Sequence, residues 1–364
     1  MNPFTRTLLA ILGILAVAAF VWFFRDIVVY VVVAVILTLM GRPITRLLRK
    51  VHFRGRYLPD AVSAIVAMAV LVGTFMAMIS FFIPTLLQQT NNLLSVDVNT
   101  IANGLEEPIN WVNELNQTYR FADDDFSVES YVQENLINVL ESVQLANIAN
   151  AIVGFTGDFF IGIFSVLFIT FFFLKEKGLM HDMVMTLTPT KHEQKVNHIL
   201  SVSKELLTRY FIGVVAEVLL VGGLISIGLG FLRVENAFVI GIFAGLFNVI
   251  PYVGPIIGGI LGVSFAVLGA LDMEFYSEML PLILKVLVVI TGVQLIDNFV
   301  FQPYIYSSSV KAHPLEIFFV ILMASSIAGI GGMIVAIPVY TILRVIAKEF
   351  FNQFKLIQSL TRSI

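Results

Sequence analysis

The sequence AFVIGIFAGLFNVIPYVGPIIGGILGVSFAVLGAL occupies residues 237–271 and is apolar almost throughout, yet prolines and glycines interrupt its middle. Pro251 and Pro255 lack a backbone N–H and push the residue before each of them out of the α region, so a helix must break there. Each half has about 13 to 16 residues, fewer than the roughly 20 that cross a bilayer comfortably. We therefore predict a re-entrant helical hairpin whose tip lies near the middle of a membrane.

A second apolar stretch, residues 315–347, repeats this design, with glycines in its middle and a proline in its second half. A helix broken inside a membrane exposes backbone groups that only a ligand, an ion or a water-lined cavity can satisfy. The alternative is that these residues only allow a kink or close packing. Two breaks in corresponding places favour a substrate path, and the candidate site residues at them are Asn248, Pro251, Gly254, Pro255, Gly329, Gly331, Gly332 and Pro338.

The rest of the chain is dominated by apolar runs at residues 8–24, 27–40, 61–83, 148–174, 210–232 and 281–301. Hydrophobic residues make up 58% of the chain and charged residues 13%, whereas soluble domains have about 45–50% and 25%. Barrel strands alternate in polarity and are about ten residues long, so these runs are helical. We predict an all-α polytopic membrane protein with about six full transmembrane helices, two re-entrant helical hairpins and an external helical insert. The first two runs, separated by Arg25 and Asp26, are expected to form a tight hairpin.

Charge predicts the orientation of these spans. Lys and Arg crowd into residues 42–56 and 175–209, whereas the acidic residues between 84 and 150 face a single basic one, Arg120. By the positive-inside rule the basic segments and both termini are cytoplasmic and the acidic segment is external. A cleaved signal peptide ending near Ala16-Val17-Ala18 is the alternative for the N-terminus, but the apolar run continues to Phe24.

Five regions follow from this layout: N-terminal transmembrane helices (1–83), an external acidic helical segment (84–147), a transmembrane helix with a cytoplasmic linker (148–209), a transport core (210–347) and a cytoplasmic tail (348–364). Within the core, each broken stretch follows one intact span, and the two units have opposite orientations. This arrangement is a candidate inverted-topology repeat. In the external segment, Asp123-Asp124-Asp125 lacks the ligand pattern of an EF-hand and is interpreted as a solvated turn.

Two acidic residues lie within the apolar spans, where a charge is costly unless it faces a partner or water. Asp297 belongs to a polar stripe with Gln294, Asn298 and Gln302, whose spacing keeps it on roughly one helix face. Such a group could bind a cation, a proton or a hydroxylated solute. Glu217 could carry a coupling proton if it is buried. The alternative for each carboxyl is that it reaches water at the cytoplasmic end of its span.

Several kinds of chemistry find no support in the sequence. The chain has no cysteine, and its five histidines show no zinc-like spacing. It contains no nucleotide-binding P-loop and no nucleophile elbow. A net charge of −3 does not suggest a nucleic-acid partner. We therefore expect no cofactor, no metal site and no enzyme activity, with a lipid bilayer and a small-molecule or ion substrate as the partners.

Three segments carry a resemblance to a known family. The motifs are residues 248–258 (NVIPYVGPIIG), residues 294–298 (QLIDN) with Gln302-Pro303 and His313-Pro314-Leu315, and residues 329–338 (GIGGMIVAIP). These resemble the characteristic stretches of the autoinducer-2 exporter-like (AI-2E) family of bacterial transporters, and the hydropathy layout is similar over essentially the whole chain. The resemblance implies an inner-membrane permease that forms a homo-oligomer.

The resemblance leaves the substrate open, because family members have been linked both to export of autoinducer-2 and to sodium/proton antiport. Some members carry Glu where Asp297 stands, which keeps the carboxyl group. Our main hypothesis is an ion-coupled secondary transporter that exports small solutes. The first alternative is a sodium/proton antiporter with the same architecture, and the second is a membrane scaffold or enzyme without transport.

Overall fold

The structure, a computed structural model, describes residues 12–13, 15–16, 19–20, 22–50, 52–53, 56–95, 110–111, 113–114, 118–119, 157–270, 274–310 and 312–361. Its helices are α1 (Arg25–Leu48), α2 (Asp60–Ser95), α3 (Gly157–Lys175), α4 (Leu179–Thr186), α5 (Glu193–Phe231), α6 (Ala237–Phe247), α7 (Val253–Leu268), α8 (Leu280–Ile296), α9 (Gln302–Ser309), α10 (Pro314–Phe351) and α11 (Lys355–Thr361). Two short strands, β1 (His52–Phe53) and β2 (Arg56–Tyr57), pair antiparallel between α1 and α2.

The predicted fold class is confirmed. Five helical runs of the described part are long and apolar enough to cross a membrane: Arg25–Leu48, Asp60–Thr85, Thr190–Phe231, Phe275–Ile305 and Pro314–Phe351. Shorter apolar helices lie at Phe160–Lys175, Ala237–Phe247 and Val253–Val267. The protein is therefore an all-α polytopic membrane protein.

The chain divides into two compact units, and the first comprises Met1–Ala77 and Val153–Leu200. Here α1 and α3 pack side by side and run parallel, since Gly162 contacts Tyr30 while Gly41 contacts Leu174. Arg49 closes one end of the pair: its Nη2 donates to the Leu174 carbonyl at 3.0 Å, and its Nε lies 2.8 Å from an Asp60 carboxylate oxygen. The basic ends of α1 and α3 thus lie at the same end of this unit.

The second unit comprises Met78–Ile152 and Ser201–Ile364, and its core is formed by α5, α6, α7 and α8. The α5 and α8–α9 runs are antiparallel, because Gly228 of α5 meets Val289 of α8 whereas Gly213, earlier on α5, meets Ile305 later in the run. The buried apolar residues of this core include Val221, Ile225, Leu229, Ile240, Phe243, Phe265, Val286 and Ile290.

Helices α6 and α7 fold back on each other and form the first hairpin, with residues 248–252 as its turn. The Phe243 and Phe265 rings pack edge to face with centroids 5.2 Å apart. Gly254, just after the turn, lies so close to the Phe247 carbonyl that a Cβ would overlap it. The chain therefore reverses at the proline-bearing segment, as the sequence predicts.

The two arms of α10 form the second hairpin, which reverses at Ala328 and Gly329, where Gly329 has a φ of +56°. Tyr340 donates to Glu316 Oε2 at 2.8 Å, although 24 residues of straight helix would separate them by about 36 Å. Nearer the tip, Gly332 packs against the Ala324 carbonyl. Both broken stretches are thus helical hairpins whose arms touch.

One boundary prediction is wrong. The chain does not reverse at Arg25 and Asp26, because Phe24 N–H donates to the Phe20 carbonyl at 2.9 Å and Val28 N–H to the Phe24 carbonyl at 3.0 Å. These are helical i to i−4 bonds, and residues 23–27 contain neither Gly nor Pro to end a helix. Residues 175–209, predicted to contain a linker, are largely helical, since α4 begins at Leu179 and α5 at Glu193. Most of the segment predicted to be external lies outside the described residues.

Candidate functional site

The second unit brings together five polar side chains that the sequence singled out. Glu217 lies in the middle of α5, Asn248 directly follows α6 at the turn of the first hairpin, and Asp297 follows α8. The side chains of Gln294 and Gln302 flank Asp297. The exposed fractions of Glu217, Asn248 and Asp297 are 1%, 2% and 0%. We call these five residues the acid–amide cluster; neither acidic residue reaches water at the end of its helix.

One amide group links the two carboxyl groups of the cluster. The Asn248 side-chain nitrogen donates to Glu217 Oε1 at 3.3 Å and to Asp297 Oδ2 at 3.1 Å. Asp297 Oδ2 also accepts from Gln294 Nε2 at 3.1 Å and from Gln302 Nε2 at 2.8 Å. Three amides on three different turns of chain therefore hold a single carboxylate oxygen.

A π-helical turn, Asp297–Phe301, explains which members of the polar stripe join the cluster. In a π turn, residues five apart lie above each other, so Asp297 comes next to Gln302. The same turn leaves Asn298 exposed. The structure thus brings three residues of the predicted stripe together, whereas the fourth, Asn298, is exposed. Such turns often occur at functional sites of helical proteins.

Close backbone contacts fix Asn248 against Glu217. Gly241 of α6 lies against Gly222 of α5, where an added Cβ would be 2.5 Å from the Gly222 carbonyl oxygen. Gly245, one turn later, similarly approaches the Val218 carbonyl. Small residues allow membrane helices to approach this closely. Because the contacts end within a few residues of Glu217 and Asn248, they hold these two side chains at a fixed separation.

The cluster contains two acidic groups and no basic group that pairs with them among the described residues. The two carboxyls also lie within hydrogen-bonding reach of each other. Glu217 Oε1 and Asp297 Oδ2 are separated by at most the sum of their distances to the Asn248 nitrogen, about 6.4 Å. Two charges at that separation repel by roughly 2–3 kcal/mol at an effective dielectric constant of 20.

The cluster also holds oxygen atoms that accept no hydrogen bond. Asn248 Oδ1 and Asp297 Oδ1 are buried, and no donor among the described residues reaches them. Buried acceptors normally have a partner, and leaving one without costs about 1–3 kcal/mol. A carboxylate oxygen and an amide oxygen are suitable ligands for a hard cation, and either carboxyl can take a proton. The arrangement is therefore suited to binding a proton or a small monovalent cation.

The remaining predicted site residues belong to the hairpin turns. Pro251 and Gly254 are buried and Pro255 is half-buried in the first hairpin. In the second hairpin, Gly329 and Gly331 are exposed at the tip, whereas Gly332 and Pro338 are buried. Of these residues, Gly254 lies against the backbone of the acid–amide cluster, because an added Cβ would be 2.9 Å from the Asn248 Cα. Asn248 is the member of the cluster that a hairpin turn contributes.

Two buried residues of the second unit were not among the predicted site residues. Tyr210 is 3% exposed and interacts electrostatically with Glu217. The seven-residue spacing between the two, which places both on one face of α5, is the sequence signal that could have identified Tyr210. Arg344 is 4% exposed and donates through Nη1 to the Val310 carbonyl at 2.8 Å and through Nε to the Leu360 carbonyl at 3.0 Å. It ties the base of the second hairpin to α11.

Comparison with known proteins assigns this architecture to a family. Residues 10–352 match the family model described as AI-2E family transporter. The "Putative transport protein YueF" of Bacillus subtilis (strain 168) is 26% identical over 99% of this chain and 95% of its own length. The similarly named YrrI of the same organism is 26% identical over 60% of each chain, and MJ1177 of Methanocaldococcus jannaschii is 23% identical over 88% of this chain and 89% of its own. Because the family match covers most of its length, the chain belongs to the AI-2E family and is a multi-pass membrane transporter.

Proposed function

We propose that the protein is an ion-coupled secondary transporter that exports small solutes, with the acid–amide cluster as the site of the coupling ion. The observation that carries this proposal is the burial of two carboxyl groups that share the amide of Asn248 and have no basic partner among the described residues. Uncompensated charge of this kind is costly inside a membrane and typically marks an ion or proton pathway. A bound cation or proton compensates it.

The position of Asn248 connects the ion site to a movable element. Its side chain binds both carboxyls, while its backbone begins the turn of the first hairpin. That turn also contacts the base of the second hairpin, where the Tyr252 and Phe318 rings lie 5.8 Å apart. Ion binding can therefore bias the arrangement of the hairpins, which is what coupled transport requires.

The test is flux through purified protein reconstituted into vesicles, with an imposed proton or sodium gradient and a screen of small polar solutes. The furanone signal that the family resemblance suggests is the first solute to include. Asp297→Asn keeps the size and planar geometry of the side-chain group but removes its charge. A carboxylate about 4 Å from a cation contributes about 4 kcal/mol at an effective dielectric constant of 20, so coupling-ion affinity should fall by about three orders of magnitude.

The matched control is Glu278→Gln, which removes an exposed carboxylate from the turn before α8. This variant should keep the flux of the unmodified protein. If Asp297→Asn also kept its gradient-driven flux, Asp297 would have no role in coupling and the proposal would fail.

Sodium/proton antiport is the second candidate function. The two buried oxygens that accept no hydrogen bond, Asn248 Oδ1 and Asp297 Oδ1, favour it because they could coordinate a metal cation that later exchanges for a proton. In this case an inward sodium gradient should drive proton movement in vesicles that contain no other solute. Solute-dependent proton movement instead would support export.

The proposal places the protein in the inner membrane with both termini in the cytoplasm. In support, α1 and α3 run parallel, and Arg49 near the end of α1 bonds to the last carbonyls of α3. The two most basic segments of the chain thus begin at one end of the first unit, as the positive-inside rule requires. Labelling of single cysteines introduced into this chain, which has none, tests the orientation.

A further inference from the structure

A line of buried polar residues runs along α5 toward the acid–amide cluster. Ser203, Tyr210 and Glu217 follow one another at intervals of seven residues, and their exposed fractions are 7%, 3% and 1%. Seven residues of an α-helix drift by only about 20°, so these three side chains share one face over roughly 21 Å. The line starts in the part of α5 that carries the basic residues Lys195, Lys204 and Arg209.

Ser203 and Tyr210 each place a polar group on this buried face of α5. The Ser203 hydroxyl oxygen is buried and has no hydrogen-bond partner among the described residues. A buried hydroxyl without a partner costs about 1–3 kcal/mol, which a water molecule can remove. Tyr210, one step nearer the cluster, interacts electrostatically with Glu217. Polar groups thus lead from the basic end of α5 to the carboxyl.

Buried apolar residues flank this line of polar residues and continue the same helix face beyond Glu217. Leu207 and Phe211 lie beside it and are 4% and 8% exposed. Beyond Glu217 the same face continues as Val221 and Ile225, each 1% exposed. On this face the polar residues therefore stop at the carboxyl that they lead to. Among the described residues, Asn248 and Asp297 also face Glu217.

We propose that Ser203 and Tyr210 line a narrow water path that carries protons between the basic end of α5 and Glu217. The Tyr210 hydroxyl gives its proton to the Glu217 carboxylate and takes another from a water molecule held by Ser203, and that water molecule takes a proton from the water at the basic end of α5. The reverse sequence releases the proton. This inference rests on the proposed ion-coupled transport and adds the route by which its proton arrives. The Glu217 carboxyl remains the proton-binding group, Tyr210 relays the proton, and Ser203 positions the water molecule.

Cysteine labelling tests whether water reaches this line. Ser203→Cys and Tyr210→Cys, each in the full chain in vesicles, are exposed to a small membrane-impermeant methanethiosulfonate from the side of the basic end. The control is Val221→Cys, which is similar in size to the residue it replaces and lies one turn beyond Glu217. We expect the first two cysteines to react and the third to stay unlabelled. Equal protection of all three would overturn the proposal.

Removal of the hydroxyls tests whether they carry protons. Tyr210→Phe and Ser203→Ala should slow proton flux by about 100-fold, the size of a lost proton-transfer group, and Ser203→Thr should restore it. The control is Thr208→Val, which removes a hydroxyl bonded to the Lys204 carbonyl on the other side of α5. Coupling-ion affinity should not change in any of these variants, whereas a purely structural role would change affinity and rate together.

The outcomes separate this inference from the proposed function. If the unmodified protein moved no protons under any imposed gradient, the transport proposal would fail and the path with it. Suppose instead that the unmodified protein moved protons and that Glu217→Gln abolished this flux. If Tyr210→Phe and Ser203→Ala then kept the same proton flux as Thr208→Val, the path alone would be refuted.

Discussion

Gly241→Ala should both destabilise the second unit and inactivate the acid–amide cluster. The new Cβ would lie 2.5 Å from the Gly222 carbonyl oxygen and 2.7 Å from the Ser226 nitrogen, whereas ordinary contacts are 3.4–4 Å. Both neighbours are backbone atoms of α5, so no side-chain rotation can make room. Helices α5 and α6 would have to separate by about 1 Å, and overpacking of this kind costs about 1–3 kcal/mol.

The same displacement acts on the acid–amide cluster. Asn248 directly follows α6, and its bonds to Glu217 and Asp297 are already 3.3 and 3.1 Å long. A shift of about 1 Å would take at least the first bond beyond hydrogen-bonding distance. Gradient-driven flux should therefore fall together with stability, although the substituted residue touches neither carboxyl.

The measurements are the thermal unfolding midpoint in detergent and coupled flux in vesicles. The matched control is Gly223→Ala on the same helix as Gly222, where an added Cβ meets nothing within 4 Å. There the change should leave flux intact and stabilise the protein by about 0.5–1 kcal/mol, because alanine restricts the unfolded chain. If Gly241→Ala matched this control in both measurements, the close approach of α5 and α6 would not hold the cluster.

Two further substitutions test the cluster and the second hairpin. Asn248→Ala removes the donor shared by both carboxyls and should lower coupling-ion affinity at least tenfold, because each buried group left unsatisfied costs about 1–3 kcal/mol. The control, Asn298→Ala, changes an exposed neighbour of Asp297 and should leave affinity unchanged. Equal losses of affinity in the two variants would contradict the role of Asn248. Gly329→Ala should destabilise the protein by about 1–3 kcal/mol, since its φ of +56° disfavours a side chain. Gly331→Ala, where an added Cβ meets nothing within 4 Å, should not lower the thermal unfolding midpoint.

The hairpins could be predicted from sequence because their cause is local. Pro251 cannot continue a helix, and the observed turn at residues 248–252 lies within the interrupted segment. The second reversal, at Ala328 and Gly329, begins one residue before the predicted glycine run. Hydropathy was less informative about helix ends, because the polar start of α5 at Glu193 and the charged pair Arg25-Asp26 are both helical.

The composition of the cluster could be predicted only in part. Spacing along one helix suggested Gln294, Asp297 and Gln302, but a regular helix does not explain why Asn298 is left out; the π turn does. The meeting of Glu217 with Asp297 depends on the antiparallel packing of α5 against α8 and α9. No local pattern in the sequence sets that register, so the two acids could be proposed separately but not as a pair.

The arrangement of the cluster gives a physical reason for coupling between ion binding and hairpin movement. The two carboxyls lie on intact helical runs, whereas the amide that joins them belongs to the hairpin turn. A bound cation or proton reduces the electrostatic repulsion between the two carboxyls. Without it they repel each other, and the hydrogen bonds from the Asn248 amide contribute more to holding them together. In the proposed mechanism the hairpin position changes ion affinity, and by thermodynamic linkage ion binding then changes the preferred hairpin position by the same free energy. Replacing Asn248 should weaken this linkage even where ion binding itself survives.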